Sequence, residues 1–178
     1  MLTTARLTLR PVTPADRADL IDLEADPLVM RYLNGGQPVP DEGLPGGDYL
    51  TPRGTEPEVM AAHDIATGRF VGWFAFFDDG LQNGQRCAEI GYRLTRDSWG
   101  RGLATEGVRA LIAEAFDHWG FDCIRAQTMM VNQGSRRVME KAGMRLVART
   151  FPVFADLLPG SEAGEVVYAI RREPARRA

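Results

Sequence analysis

Apolar residues along the chain recur at the spacing of a strand in some segments and of a helix in others, and the changes of spacing mark the elements. Residues 6–10, Arg-Leu-Thr-Leu-Arg, alternate like a strand and run into Pro11. A helix is predicted over 16–23, where Ala15, Leu20 and Leu23 follow Thr13-Pro14, a start signal with proline at the first helical position. A second short helix is predicted over 27–33, with Leu28, Tyr32 and Leu33 on one face. From 34 to 57 the chain is rich in glycine, proline and aspartate and shows no period, which suits a lid or binding loop or a disordered stretch.

Strand-like runs follow at 58–65 and 70–77, joined by Ala66-Thr67-Gly68-Arg69, a hairpin turn with glycine near a left-handed position. After a further turn at 78–85, a third run at 87–95 completes three sequential antiparallel strands. The clearest helix comes next: Ala104, Val108, Leu111, Ile112, Ala115, Phe116 and Trp119 form one continuous apolar face, and Gly120 closes it. The strand at 123–131 then lies parallel to 87–95 if the unit is a right-handed crossover. Asn132-Gln133-Gly134 leads into a shorter helix over 135–142, with Val138, Met139 and Ala142 on one side and Gly143 as its stop. Two last strands, 144–151 and 165–170, are predicted to pair. The pattern is a mixed α/β sheet with one central crossover.

Composition narrows the function classes. The 178 residues, 44% of them hydrophobic, suit a single domain spanning 1–178 with a full core. Cys87 and Cys123 stand alone in strand-like runs with no CxxC pairing, and the chain has 2 histidines, so neither a disulfide framework nor a metal site is expected. The N-terminal residues lack the apolar block of a signal peptide, and no stretch reaches the roughly 18 apolar residues that span a bilayer, so a cytoplasmic protein with no membrane partner is expected. A net charge of −3 argues against DNA as a partner, because neutralising phosphates takes a basic face. The basic end, RREPARRA, reads as a solvated tail rather than a nucleic-acid arm.

The segment SWGRGLATEG, 98–107, sits between the third strand and the long helix. A helix N-terminus offers unpaired N–H groups and partial positive charge, and glycine lets a ligand approach the backbone. Residues 99–105 therefore suit an anion cradle for a pyrophosphate, with Arg101 adding charge and Thr105 a hydroxyl. Gly102 is followed by Leu103-Ala104 rather than by lysine and a hydroxyl residue, which excludes a P-loop. Thr105 stands where a dinucleotide fingerprint needs glycine or alanine. A tight strand-to-helix turn with no ligand is the other reading. Asn132 and Ser135 open the next helix at the end of the neighbouring parallel strand, the sheet edge at which ligands of open α/β folds collect.

Here the chain resembles a family. The stretches EIGYRLTRDSWGRGLATEGVRALIAEAFDHWG and VNQGSRRVMEKAGM are similar to the GNAT acetyltransferases, in particular to the branch of bacterial enzymes that acetylate ribosomal-protein N-termini. The resemblance runs from RLTLRPVTPAD to the end, and 34–57 departs from the family's usual helical segment. It implies a mostly antiparallel mixed sheet whose central parallel strands splay into a V, flanked by about four helices. Acetyl-coenzyme A would lie in that V, with its pyrophosphate on Arg101, Gly102, Leu103, Ala104 and Thr105 and its pantetheine arm against backbone near Tyr92 and Leu94. Asn132 would hydrogen-bond the arm, cap the last helix, or do both, and Arg136 would meet the 3′-phosphate. Arg109 and Arg137 read as solvated charges, and Trp99 replaces the Gln or Arg that opens the superfamily's motif. A homodimer is a further family-level implication.

Acetyl transfer requires a neutral amine, a stabilised oxyanion and a proton for the leaving thiolate. By resemblance Glu89 is placed as the base, with a strand-edge salt bridge or substrate anchor as its alternative role. A backbone N–H near Tyr92 would hold the oxyanion, a contribution of roughly 3 kcal/mol per donor. Ser135 is the expected proton donor to sulfur, with bonding to its own helix start as the alternative, while some relatives use tyrosine. An α-amine of pKa about 8 is partly neutral near pH 7, whereas a lysine of pKa about 10.4 is almost wholly charged, so a weak base suits the former. The reading is an N-acetyltransferase acting in a ternary complex on a primary amine, either a protein N-terminus or a small molecule. Its alternatives are a non-catalytic acyl-coenzyme A sensor and a nicotinamide-dependent oxidoreductase, the last of which needs a larger nucleotide domain.

Overall fold

The structure is a computed structural model that describes residues 1–38, 59–152 and 158–173. These form an eight-stranded sheet: β1 (Leu2–Thr3), β2 (Leu7–Pro11), β3 (Val59–Asp64), β4 (Phe70–Gln82), β5 (Gln85–Leu94), β6 (Cys123–Met129), β7 (Arg145–Thr150) and β8 (Glu165–Arg171). Their order across the sheet is β1-β2-β3-β4-β5-β6-β8-β7. Among the described residues four α-helices accompany it: α1 (Arg17–Ala25), α2 (Pro27–Met30), α3 (Leu103–Asp117) and α4 (Gln133–Lys141). The three antiparallel strands, the crossover through α3 and the final strand pair stand where the periodicity puts them.

One join dominates this arrangement. β5 and β6 are the parallel pair, and their register runs Cys87↔Cys123, Ala88↔Ile124 and Glu89↔Arg125. Beyond Glu89 the two strands are no longer paired, although β5 continues to Leu94 and β6 to Met129. β6 stays bonded to β8 from Cys123↔Arg171 through Met129↔Glu165, so the divergence opens a V on the β5 side.

Alternation along the strands assigns the two faces. Ala88, Ile90 and Leu94 of β5 join Leu103, Val108, Leu111 and Met139 in the main core, which places α3 and α4 on that face. On the opposite face Trp73 and Ala75 of β4 pack with Leu20 and Leu23 of α1 and Val29 of α2. α1 is anchored to β2 by Asp16, which is 2% exposed and accepts from Arg10 Nη1 at 2.8 Å and Arg10 Nη2 at 2.7 Å.

Two elements differ from the sequence reading. The turn expected at 78–85 is instead an extension of the hairpin: β4 and β5 continue to Gln82↔Gln85 past a bulge at Asp78/Gly80 and reverse at Asn83-Gly84, with φ of 53° and 78°. That extension is solvated, so it carries no apolar alternation from which a strand could be read. The second helix ends at Met30 rather than 33, where its carbonyl accepts from Leu33 and Asn34 and the chain turns through Gly35 and Gly36, both at positive φ. The lid reading of 34–57 falls almost wholly on 39–58, outside the described residues.

Gly107 serves packing rather than ligand approach. It lies within α3, and a Cβ built on it would sit 2.3 Å from the Phe74 ring of β4. Close seating of α3 on the sheet therefore requires glycine here, although alanine is the better helix former by about 1 kcal/mol. Gly107→Ala is expected to destabilise the fold by about 2 kcal/mol through overpacking, read as a lower urea midpoint. A variant as stable as the parent would show that α3 can shift without cost.

Candidate active site

A cleft of about 680 Å³ occupies the V. Its walls are the free stretch of β5 from Ile90 to Leu94, the start of α3, the inner side of α4, and α2 with the turn that follows it. Because β6 has left, backbone groups of β5 that point into the V have lost their strand partner, and such groups need a substitute from solvent or ligand.

The start of α3 supplies donors. Gly102 is the N-cap in the left-handed conformation, with φ of 79°, and its carbonyl accepts the first helical bond from Glu106. The amides of Leu103, Ala104 and Thr105 are thus the unpaired donors of the first turn, and all three residues line the cleft. The preceding loop is held from outside. Arg6 bonds Glu106 at 2.7 Å and donates to the Arg101 carbonyl at 2.9 Å, and the Arg101 side chain reaches Asp64 at 3.3 Å. Arg101 therefore contributes to the turn's anchoring, while Gly102 to Thr105 face the cleft. Trp99, at the motif's opening, donates its indole N–H to the Leu94 carbonyl at 2.9 Å and fastens the turn to the end of β5.

On the opposite wall Asn132 is the N-cap of α4: its Oδ1 accepts from Ser135 N at 3.2 Å and its Nδ2 donates to Thr128 Oγ1 at 3.0 Å. The Ser135 hydroxyl lies 2.9 Å from the phenol of Tyr92, which also donates to the Ser135 carbonyl at 3.1 Å. Burial pushes the Tyr92 phenol up to about 12, against the lowering effect of its bond to Ser135, so it keeps its proton at neutral pH. The sequence singles out Tyr92 for its backbone. That its side chain reaches α4 follows only from strand alternation combined with the way α4 packs.

Glu89 stands at the last β5/β6 pair, beside Arg125, on the face away from α3 and α4. It is half-buried and is not among the residues lining the main cleft. Burial and the nearby charges of Asp79 and Glu165 raise its pKa, opposed by Arg125. Arg136, expected at the 3′-phosphate, is instead turned to the Met130 carbonyl and the Tyr168 hydroxyl, each at 3.2 Å. Arg137 and Lys141, four residues apart on α4, line the cleft. Neighbouring helix positions point about 100° apart, and the sequence around Arg136 and Arg137 does not say which one faces the V. Arg109 donates to the Lys141 carbonyl and fastens α3 to the end of α4.

The second face completes the cleft. Arg93, next to Tyr92 but pointing the other way, pairs with Glu24 of α1, which is 1% exposed, and lies over the Trp73 ring at 5.0 Å. Leu28, Arg31, Tyr32 and Leu33 form the rim above it. None of this group stands out in the sequence as a site.

A family model for the acetyltransferase (GNAT) domain matches residues 6–145. The chain belongs to this family. An FsC-acetyl coenzyme A-N(2)-transacetylase of Aspergillus fumigatus is 33% identical to it over 179 residues, covering 97% of this chain and 76% of the relative. Among solved structures, an acetyltransferase of the GNAT family from Bacillus anthracis superposes with a TM-score of 0.76 at 24% identity, covering 96% of this chain and 97% of the other. An aminoglycoside acetyltransferase in complex with coenzyme A superposes with a TM-score of 0.70 at 20% identity, covering 93% and 95%. The protein is a GNAT acetyltransferase that uses acetyl-coenzyme A as its donor. The cleft suits that donor in kind: three helix N-terminal amides on one wall, two cations on α4 across from them and a free strand edge between line the same cavity. Among the described residues no helix is long and apolar enough to cross a membrane.

Tyr92 can be titrated individually. The ultraviolet difference between the parent and Tyr92→Phe is expected to show one phenol ionising near pH 12 rather than near 10. Because the unfolded chain ionises first, stability should fall as the pH rises between these values, and less so in the variant. A difference spectrum centred near pH 10 would contradict the burial of this group.

Proposed function

We propose that the protein transfers acetyl from acetyl-coenzyme A to the nitrogen of a primary amine by direct attack within a ternary complex. The observation that carries this reading is the Ser135 hydroxyl, held by Tyr92 on the cleft wall across from the α3 amides. Bound acetyl-coenzyme A supplies the activated carbonyl and a thiolate leaving group. The chain's own residues do the rest. The amides of Leu103, Ala104 and Thr105 hold the pyrophosphate, and Arg137 and Lys141 replace Arg136 as our assignment for the phosphates at the adenosine end. Asn132 fixes the first turn of α4, and with it the position of Ser135, through its cap.

Tyr92 has one phenolic proton and two acceptors on the same residue, the Ser135 carbonyl and Oγ. When that proton is directed to Oγ, the serine's own proton is free to point into the cleft. In this reading Ser135 gives its proton to the departing sulfur, and the proton lost by the acceptor nitrogen restores it through cleft water, so protons balance within the site. Tyr92 is a positioning residue that stays protonated throughout. Glu89, on the acceptor face with a raised pKa but set back from the residues that line the cleft, is the base that takes the ammonium proton of the incoming amine through water before attack.

Direct transfer is supported by the state of the thiols. Cys87 and Cys123 are both buried and neither lines the cleft, and burial together with the neighbouring Cys123 raises the Cys87 pKa to about 11, so Cys87 is not an available thiolate nucleophile. The acceptor is an amine with a pKa near 8. Protein N-termini, to which the sequence resemblance points, are of this type, and the N(2) in the name of the Aspergillus fumigatus relative is in keeping with an amine acceptor.

Thiol release from acetyl-coenzyme A, measured across N-terminal peptides, amino-acid derivatives, polyamines and aminoglycosides, tests the reaction. Initial rates should give intersecting double-reciprocal lines; parallel lines would reject direct transfer. Ser135→Ala should lower kcat on the order of a hundredfold with KM for acetyl-coenzyme A little changed. Tyr92→Phe should lower kcat less, and an unchanged kcat in both variants would remove Ser135 as the proton donor.

A further inference from the structure

The charge on the acceptor side of the cleft is one-sided. Four cationic residues line the cleft, Arg31, Arg93, Arg137 and Lys141, and among the described residues no carboxylate side chain does. Two of them belong to the donor wall on α4. Arg93 faces the acceptor side, but Glu24 beneath it, 1% exposed, answers its charge from behind without presenting a carboxylate to a ligand. Arg31 is left. It is exposed on the rim, stacked at 4.6 Å over Tyr32, and forms no ion pair among the described residues. Leu28 and Leu33 stand beside it, 44% and 52% exposed, and Gly91 keeps the strand surface below them free of a side chain.

We infer that the acceptor is a small amine carrying a free carboxylate and an apolar body, and that Arg31 binds the carboxylate. The inference rests on reading the cleft as an amine-acetylating site. A polyamine or an aminoglycoside would bring further ammonium groups to a wall that offers guanidinium and no acidic side chain among the described residues, where like charges repel. A carboxylate gains a charge-assisted, two-pronged hydrogen bond from Arg31. An apolar body gains by covering Leu28 and Leu33, which the fold leaves in water. The superposed aminoglycoside acetyltransferase therefore shares the fold, while this chain's acceptor wall favours the opposite charge.

The test uses binding rather than turnover, so that it reads the wall itself. Coenzyme A is joined through an S-acetyl linker to the amine nitrogen of glycyl-phenylalanine, of its C-terminal amide, or of spermidine, and each conjugate is titrated into the full chain by calorimetry. The glycyl-phenylalanine conjugate should bind at least about tenfold more tightly than the spermidine conjugate, a difference of ~1.4 kcal/mol, and several-fold more tightly than the amide. Arg31→Glu should invert the order of the free acid and spermidine without lowering the melting temperature. A spermidine conjugate that binds as tightly as the free acid, or a free-acid preference that survives Arg31→Glu, overturns the inference alone. Conjugates that all bind no more tightly than coenzyme A overturn the amine-acceptor reading along with it.

Discussion

The cleft depends on a pairing that stops. β5 and β6 share three register pairs and then separate, with β6 still tied to β8 and β5 still tied to β4. A buried backbone group without a partner costs about 1–3 kcal/mol, so a strand edge opened inside a sheet calls for something to bond to it. The V is the one place among the described strands where a parallel neighbour is given up midway, and the cleft lies there. Trp99 meets part of the need by donating to the Leu94 carbonyl, which also locks the glycine turn before α3 onto the end of the open strand.

Strand alternation then divides the work of β5 between two faces. Tyr92 points towards α4 and meets Ser135, whereas Arg93 points towards α1 and meets Glu24 and Trp73. Adjacent residues on one open strand thereby face the α4 side and the α1 side of the same cleft, and a one-residue slip in register would exchange them. This coupling explains why the strand is restrained so closely at its far end, where Gly72 lies opposite Leu94 with space for no side chain: a Cβ there would fall 2.1 Å from the Arg93 carbonyl.

Buried charge in this structure holds walls in place. Glu24 with Arg93 ties α1 to the open strand, and Asp16 with Arg10 ties the start of α1 to β2. Replacing such pairs with apolar residues is often neutral for stability, but breaking one partner is not, because the other is then stranded in a poorly solvated place. Glu24 lies behind Arg93, so among the described residues the side chains that line the cleft include cations and no carboxylate.

Much of this was legible without coordinates. The period of apolar positions was enough for the three antiparallel strands, the crossover helix and the final strand pair, because burial of one face imposes its spacing on the sequence that does it. The turn from Trp99 to Thr105 and the Asn132 cap were also readable, since glycines at a helix start and Asn three residues before Ser135 are local chemistry. The solvated end of the β4–β5 hairpin was not, as no burial marked it, and neither was the rotation of α4 that turns Arg136 to Tyr168 and Arg137 to the cleft. The Tyr92–Ser135 contact spans 43 residues and the Arg93–Glu24 pair spans 69. Sequence alone determined most of the local elements and the glycine turn that opens α3. Only the tertiary structure decided which side chains meet across the cleft, because contacts between distant segments depend on register, twist and packing that no short-range pattern encodes.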